Sequence, residues 1–331
     1  MARPKLLPDN FTLCLLATVA TASLLPSRGE TAVVFDWATN FAIGLLFFLH
    51  GAKLSREAAL AGATHWRLHL LVLLCTFGMF PLLGLALKPL LMPIVTPALY
   101  AGVLFLCTLP STVQSSIAFT SMAKGNVPAA VCSASASSLL GIFITPVVAS
   151  VVVTSNTAGG ISLHTIWGIV LQLLVPFVAG QMARPLIGKW VARHRSFLRY
   201  VDQGSILLVV YTAFSEAVNE GIWRQTPLLA LGGVLVVCAV VLGLALVITY
   251  FTARRLGFDR ADQITIIFCG SKKSLASGIP MAKVLFAGHA LGSVVLPLML
   301  FHQMQLMVCA VLAARWGARP ETESTEIVHK A

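Results

Sequence analysis

Charged residues are scarce in this chain: Asp, Glu, Lys and Arg make up 11% of its 331 residues, whereas apolar residues make up 57%. A soluble domain carries roughly 25% charged residues. A soluble chain of this length could not bury so much apolar surface. The low charge therefore excludes a soluble globular domain and indicates a protein embedded in a lipid bilayer.

Acidic residues are fewer than basic ones, with 12 Asp and Glu against 23 Lys and Arg. A net charge of +11 suggests nucleic-acid binding in a soluble protein, but basic loops explain it in a membrane protein. We therefore expect no nucleic-acid partner. The seven cysteines lie in or beside apolar segments and form no CxxC pair, so neither a disulfide framework nor a zinc site is expected.

Enzyme signatures are also missing. The sequence contains no P-loop, no GxSxG and no HExxH motif. Ser121-Met122-Ala123-Lys124 fits the SxxK pattern, but the SDN and KTG elements that accompany it in penicillin-binding enzymes are absent. The chain is not expected to be an enzyme.

The sequence does contain a series of apolar segments of membrane-spanning length. A spanning helix needs about 20 mostly apolar residues, and ten segments qualify: 8–25, 33–51, 68–87, 98–121, 128–153, 163–184, 200–217, 228–252, 262–286 and 289–313. A signal peptide is the alternative for the first, because basic residues precede it and Ala20-Thr21-Ala22 resembles a cleavage site. The expected fold is an all-α polytopic membrane protein with ten transmembrane helices.

The basic residues are distributed unevenly between the two sides of these segments. Seventeen of the 23 Lys and Arg lie at the termini or in the loops after the second, fourth, sixth and eighth segments, and four lie in the other loops. Because cytoplasmic loops are enriched in Lys and Arg, both termini are expected in the cytoplasm. The expected location is the plasma membrane, the inner membrane of a bacterium.

A faint internal duplication divides the chain into two halves. Ser115 precedes Met122-Ala123-Lys124 by seven residues, and Ser274 precedes Met281-Ala282-Lys283 by the same spacing. Five spans on each side of residues 154–162 would give the halves opposite orientations, as in many transporters. The expected units are residues 1–157, an inverted second repeat at 158–315, and a polar cytoplasmic tail at 316–331.

Two adjacent lysines interrupt the ninth segment, in the sequence Ser271-Lys272-Lys273-Ser274. A lysine near the bilayer centre costs roughly 2.5 to 3.5 kcal/mol, and these lie too deep to reach an interface by extending their side chains. Gly270 on one side and Gly278-Ile279-Pro280 on the other favour a helix break. A lysine here would bind an anionic group, take the place of a cation, or titrate.

The fourth segment is interrupted in a similar way. Pro110 removes a backbone donor, and hydroxyl and amide side chains follow it. Their oxygens suit a sodium ion or a polar solute group, although small hydroxyl residues also favour close helix packing. The candidate residues in this and the next segment are Thr112, Gln114, Ser115, Ser116, Ser133 and Ser135.

The last segment contributes His302 and Gln303 near its centre. His302 is either a proton carrier or a hydrogen-bonded structural group. All twelve carboxylates fall at segment ends, in loops or in the tail. The membrane interior is therefore expected to lack an acid that could neutralise a cation. With Ser271, Lys272, Lys273 and Ser274, these residues complete the expected substrate and ion site, which holds no metal cofactor.

These motifs resemble the bile acid:sodium symporter superfamily. Pro110 to Ser116, Ala123 to Val127, Cys269 to Leu275, Gly278 to Met281 and His302-Gln303 look like its sodium-bile-acid-symporter-like branch, close to symporters of bacteria. The resemblance covers nearly the whole chain. It implies two inverted five-helix repeats arranged as a panel and a core, with the fourth and ninth helices unwound and crossing at a central site.

The resemblance also implies sodium as the coupling ion. Well-studied members hold sodium through a glutamate and a Gln-Asn pair on the ninth helix, whereas the matching stretch here has lysines and no acid. A fixed positive charge can replace one ion. The expected function is secondary active transport of a small organic, anionic solute, with sodium or protons as the coupling ion. A membrane sensor that does not transport is the alternative, and the sequence does not define the oligomeric state.

Overall fold

A computed structural model describes residues 10–53, 65–154, 163–219, 221, 228–286 and 291–318. Within these ranges all regular structure is helical. The predicted boundary between the halves at residue 157 and residues 319–331 of the predicted tail lie outside the described residues. The helices are α1 (Asn10–Leu24), α2 (Glu30–Lys53), α3 (Trp66–Leu74), α4 (Phe80–Ala86), α5 (Lys88–Leu91), α6 (Pro97–Thr108), α7 (Gln114–Met122), α8 (Val127–Thr154), α9 (Leu163–Arg193), α10 (Arg195–Asn219), α11 (Leu228–Arg255), α12 (Arg260–Gly270), α13 (Leu275–Leu285) and α14 (Leu291–Gly317).

The helices confirm an all-helical, multi-pass membrane protein. Five stretches within the described ranges are long and apolar enough to cross a bilayer: Glu30–Lys53, Trp66–Ala86, Val127–Val153, Leu229–Arg255 and Leu291–Gly317. Leu13–Leu24 and Pro97–Thr108 are shorter apolar helices. Large apolar side chains remain outside the packed interior, among them Leu186, which is 88% exposed, and Leu229, which is 85% exposed. Such surfaces suit contact with lipid. The arrangement of ten spans in inverted repeats stays a prediction.

A π-helical turn, Cys75–Met79, joins α3 to α4. At its end the Phe80 amide donates to the carbonyl of Cys75, five residues back, instead of to that of Thr76. The next residue, Pro81, has no amide hydrogen to offer. The helix ladder therefore leaves the Thr76 carbonyl available for a partner outside this helix.

The fourth apolar segment is interrupted where the sequence places Pro110. Helix α6 begins at Pro97, after Thr96 caps it by accepting from the Leu99 amide, and it ends at Thr108. Leu109 is already extended, with ψ of 154°, because the residue before a proline disfavours helical backbone. Helix α7 starts again at Gln114.

The ninth apolar segment is interrupted at the two lysines. Asp259 caps α12 by accepting from the Asp262 amide, and α12 ends at Gly270. Ser274 then caps α13 by accepting from the Ser277 amide, the capping arrangement that serine side chains favour. Residues 271–274 between the two helices are not helical, so both lysines lie in a short unwound segment.

Two glycines allow α2 and α9 to pack with their backbones in contact. A Cβ added to Gly51 would collide with the carbonyl of Phe177, and one added to Gly180 would collide with the carbonyl of Phe48. Small residues at such crossings are typical of helix pairs in membranes, where dispersion contacts drive association. This closely packed pair forms a wall beside the interrupted helices, called the α2–α9 wall below.

Candidate functional site

The two interrupted segments bond directly to each other. Ser111 Oγ donates to the Cys269 carbonyl at 2.5 Å, and Ser116 Oγ donates to the Phe268 carbonyl at 3.0 Å. In the opposite direction, the Ser274 amide donates to the Pro110 carbonyl at 2.9 Å. These bonds satisfy backbone groups that the breaks release inside an apolar environment. The two unwound segments therefore form one unit.

Lys273, which belongs to the second of these unwound segments, is completely buried. Its ammonium donates to three backbone carbonyls, those of Thr76 at 2.7 Å, Cys107 at 2.9 Å and Leu109 at 2.7 Å. The ring of Phe80 lies 4.1 Å from Nζ, within the range of cation–π attraction. An ammonium has three donors, so the hydrogen-bonding capacity of Lys273 is filled by the protein.

The main chain of Lys273 is held by α14. Its amide donates to Gln305 Oε1 at 2.8 Å, and Gln305 Nε2 donates to its carbonyl at 2.8 Å. His302 Nδ1 lies 2.8 Å from Gln305 Nε2. The side chain of Gln305 thus replaces the helix bonds that the unwound segment lacks. Gln303, the predicted site residue on this helix, is half-buried. Gln305 was not predicted from the sequence.

Lys272 is also completely buried, but its surroundings differ. Its ammonium donates to Ser115 Oγ at 3.4 Å and faces the rings of Phe119 at 4.4 Å and Phe268 at 5.7 Å. Within the described part of the chain, neither lysine is ion-paired with a carboxylate. The charge of Lys272 is therefore stabilised by one hydroxyl group and two aromatic rings.

A short chain of hydroxyl groups leads away from Lys272 on α7 and the turn before it. Ser115 Oγ donates to Thr112 Oγ1 at 2.8 Å, and Thr112 Oγ1 lies 3.0 Å from Ser116 Oγ. Ser115 therefore connects the buried ammonium to the hydroxyl of Thr112. Both Ser115 and Thr112 also line a large cavity beside these hydroxyl groups.

This cavity has a volume of about 690 Å³ and lies between the α2–α9 wall and the interrupted helices. Both unwound segments contribute to its lining, through Thr112 and Val113 and through Ser274. Apolar side chains such as Phe47 and Phe177 cover much of the remaining wall. The predicted site residues that line it are Thr112, Gln114, Ser115, Ser135, Ser274 and His302.

The remaining predicted site residues lie outside the cavity lining. Ser133 is hydrogen-bonded to His69 Nδ1 at 2.6 Å, which links α8 to α3. Ser271 donates to the Ile267 carbonyl at 2.6 Å, one turn back on α12. The others are Ser116, Lys272, Lys273 and Gln303, so the two lysines stand behind the cavity rather than in its wall.

One end of the cavity is rich in basic residues. Lys53 at the end of α2 and Arg199 near the start of α10 line it, together with Asp202, which pairs with Lys53. A second space of about 710 Å³ shares Lys53, Arg199 and Asp202 and adds Arg184 and Lys189. This wide, positively charged entrance, defined by Lys53, Arg184, Lys189 and Arg199, is called the basic mouth below.

At the end of α2 and α10 opposite the basic mouth, ion pairs join these helices to α13. Lys283 at the end of α13 contacts Asp36 of α2 at 3.1 Å and Glu216 of α10 at 2.9 Å. Asp36 and Lys53 are about 25 Å apart along α2, at 1.5 Å per residue. The cavity lining thus includes Lys53 and Arg199 of the basic mouth, whereas the ion pairs of Lys283 join α13 to α2 and α10 outside the lining.

The structure adds partners that the sequence analysis did not select. Gln305 and the carbonyls of Thr76, Cys107 and Leu109 contact Lys273. Pro81 and Pro110 were the available signals, since each proline frees a carbonyl on a preceding turn. In the described ranges no group of three His, Cys, Asp or Glu is placed to hold a metal ion.

Interrupted helices that meet beside a buried cavity in a multi-pass helical protein are the architecture of a membrane transporter. The chain belongs to the SBF-like CPA transporter family, whose sequence profile matches residues 9–318, within the bile acid:sodium symporter superfamily. This family and its named relatives are transporters and not enzymes.

Relatives from bacteria and animals align over most of the chain. An uncharacterised protein of Pseudomonas aeruginosa is 68% identical over 96% of both chains. A protein of Escherichia coli named "Putative symporter YfeH" is 57% identical over 95% of this chain and 94% of its own. Mouse "Sodium/bile acid cotransporter 7" is 29% identical over 91% of this chain and 90% of its own.

Proposed function

We propose that the protein is a secondary active symporter that carries a small organic anion across the bacterial inner membrane by alternating access, with sodium as the coupling ion. The observation that carries the proposal is the cavity of about 690 Å³ whose lining includes both unwound segments. A solute bound between the two unwound segments would contact Thr112 and Ser274 together. A movement of the interrupted helices relative to the α2–α9 wall would then carry the solute with them.

The proposed architecture has ten spans in two inverted halves. Residues 1–157 form the first half, residues 158–315 the second, and residues 316–331 a cytoplasmic tail. Helices α6 and α7 are the interrupted fourth span, and α12 and α13 are the interrupted ninth. Helices α1, α2, α9 and α10 form the panel, and the other spans form the core. Both termini lie in the cytoplasm.

Charge and polarity in the cavity support an anionic, amphipathic solute. The basic mouth attracts anions, and clefts lined by one sign of charge raise the local concentration of oppositely charged solutes. Phe47 and Phe177 contribute apolar wall, while Thr112, Ser115 and Ser274 contribute hydroxyl groups for hydrogen bonds. This distribution matches a solute with one charged end and an apolar body.

The two ends of the cavity support alternating access. The basic mouth contains residues from the side with most Lys and Arg, which we assign to the cytoplasm. The opposite end is closed by Lys283 bridging Asp36 and Glu216. Lys283 lies in the core, and its partners lie on panel helices. In this proposal the conformation is the inward-open one, and transport requires these ion pairs to open.

Two coupling ions remain in the proposal. Sodium is favoured by the hydroxyl oxygens of Thr112 and Ser115, which line the cavity, and by the name of the animal relatives, sodium/bile acid cotransporters. Protons are favoured by Lys272, whose buried ammonium connects through Ser115 to the cavity. His302, which lines the cavity, is the other proton-carrying candidate, whereas all three donors of the Lys273 ammonium are bonded to carbonyl oxygens.

Uptake by reconstituted vesicles tests the function and separates the ions. Purified protein in proteoliposomes would receive a panel of radiolabelled organic anions under an inward sodium gradient, an inward proton gradient, or neither. We expect accumulation of at least one anion under the sodium gradient. Accumulation driven only by protons would select the alternative coupling ion. Uptake indifferent to both gradients would contradict coupled transport, and saturable binding without flux would identify a sensor.

A further inference from the structure

Three carbonyl oxygens from two separate helices converge on Lys273 Nζ. The Thr76 carbonyl comes from the π-helical turn, and those of Cys107 and Leu109 come from the end of α6. The three oxygens lie 2.7 to 2.9 Å from the nitrogen. Unwound backbone carbonyls of this kind are also the ligands with which transporters hold a desolvated monovalent cation. We call this arrangement the carbonyl cage.

The sequence explains why these oxygens are free to face the cage. The Phe80 amide bypasses the carbonyl of Thr76, and Pro81 has no amide hydrogen. The Ser111 amide, which would reach the Cys107 carbonyl in a continuing helix, donates to Ser137 Oγ at 3.0 Å. Carbonyls at a helix C-terminus also carry partial negative charge. A buried cage of this composition requires a positive occupant.

We propose that Lys273 is a resident cation: its ammonium permanently fills a site that would otherwise bind a sodium or potassium ion. The lysine therefore holds the π-helical turn and the end of α6 against the unwound segment without any ion from solution. A second consequence rests on the proposed symport function: the position of Lys273 contributes no exchangeable ion to transport. Coupling then depends on other groups, of which Lys272 and the hydroxyls of Ser115 and Thr112 are the nearest to the cavity.

Lys272 provides a matched comparison within the same unwound segment. It is as deeply buried as Lys273, but its ammonium faces the Ser115 hydroxyl and the rings of Phe119 and Phe268. Within the residues that the structure describes, its ammonium donates to no carbonyl oxygen. Removing its side chain would create a space of similar size that offers one hydroxyl oxygen and no carbonyl ligands, so the cage of three carbonyls is specific to Lys273.

The test measures thermal unfolding of the full-length protein in detergent. Lys273→Ala would be heated in chloride salts of sodium, potassium, methylammonium or the bulky cation N-methylglucamine, all at one ionic strength. Removing the side chain leaves the cage empty, so a small cation binding the folded state should raise its Tm. We expect sodium, potassium or methylammonium to raise the Tm of Lys273→Ala by about 3 °C or more above its value in N-methylglucamine.

Two variants control for general salt effects. Lys273→Met fills most of the cage with an apolar chain, so it should lose stability without recovery by any cation. Lys272→Ala should respond to the salts no more than the unmodified protein does. A Tm of Lys273→Ala that changes with cation as in the unmodified protein, or as in Lys273→Met, would overturn the proposal.

Misfolding of Lys273→Ala would also be informative. If the variant aggregates when extracted in N-methylglucamine, extraction in methylammonium should restore a monodisperse protein, because methylammonium reproduces the missing ammonium group. Failure of every small cation to restore it, while Lys272→Ala is recovered folded, would overturn the proposal. The readout is stability and not flux, so a failure to detect transport leaves this result intact.

Discussion

Gln305 and Lys273 exchange two hydrogen bonds of 2.8 Å, one in each direction between the side-chain amide of Gln305 and the backbone of Lys273. Gln305 is completely buried. A glutamine amide can donate and accept at once, so it reproduces the pairing that a continuous helix would give. Helix α14 thereby holds the backbone of the unwound segment at Lys273.

Replacing Gln305 by leucine should destabilise the protein without changing its charge. The Lys273 amide and carbonyl would both lose their partner, and each unsatisfied buried polar group costs about 1–3 kcal/mol. We expect Gln305→Leu to lose about 2–5 kcal/mol of unfolding free energy, measured by denaturation in detergent. Gln203→Leu is the control, because the side chain of Gln203 lines the cavity of about 690 Å³ and does not hold the unwound segment. Equal stability of the two variants would contradict the role of Gln305.

Ser115→Ala should impair transport with little loss of protein. The substitution removes the hydroxyl that joins Lys272 to Thr112, and a hydrogen bond to a charged group contributes about 1.5–3 kcal/mol. We expect the initial rate of solute uptake in proteoliposomes to fall about tenfold or more. Ser121→Ala is the control, because Ser121 is exposed on the same helix. An unchanged rate in Ser115→Ala would exclude this hydroxyl from the transport site.

Reversing the charge of Lys283 should slow transport by weakening the closed end. Lys283→Glu places three acidic groups together, and partly exposed ion pairs contribute about 0.2–1 kcal/mol each. We expect uptake to fall by a factor of about two to five. The double variant Lys283→Glu with Glu216→Lys restores opposite charges and should recover most of the rate. Failure of the second substitution to improve on the first would show that the ion pairs do not close this end.

Gly51→Ala should prevent normal assembly of the α2–α9 wall. The added Cβ would collide with the Phe177 carbonyl, which is backbone and cannot rotate away. Overpacking of this kind costs about 1–3 kcal/mol and occasionally more. We expect less monodisperse protein on size-exclusion chromatography and a lower Tm. Gly44→Ala on the same helix meets no atom within 4 Å and should behave like the unmodified protein.

The positions of both helix breaks were predictable from sequence, because their causes are local. Pro110 ends α6 through its own missing amide hydrogen, and Ser274 restarts the helix as a capping residue. The π-helical turn at Cys75–Met79 was not predicted. Its cause is also local, at Pro81, but this proline is followed by apolar residues and not by polar ones as Pro110 is, so segment 68–87 was predicted as one continuous span.

The environments of the two lysines were not predictable in the same way. Adjacent residues in an unwound segment can point in any direction, so their spacing does not say which one faces the cavity. The partners of Lys273 lie far away in the chain: Thr76 is 197 residues distant and Cys107 is 166 residues distant. For the same reason, Gln303 and Gln305 were indistinguishable until the side of α14 that faces Lys273 was known.

The sequence by itself determined that the chain is a helical membrane protein and where two of its spans break, because hydrophobicity, proline and serine act on their own neighbourhood. Only the tertiary structure decided that the breaks join, that Lys273 is saturated by three carbonyls, and that Lys272 rests against Ser115. Hydrogen bonds are directional and act over about 3 Å. Their partners are therefore set by how distant segments pack and not by the order of residues in the chain.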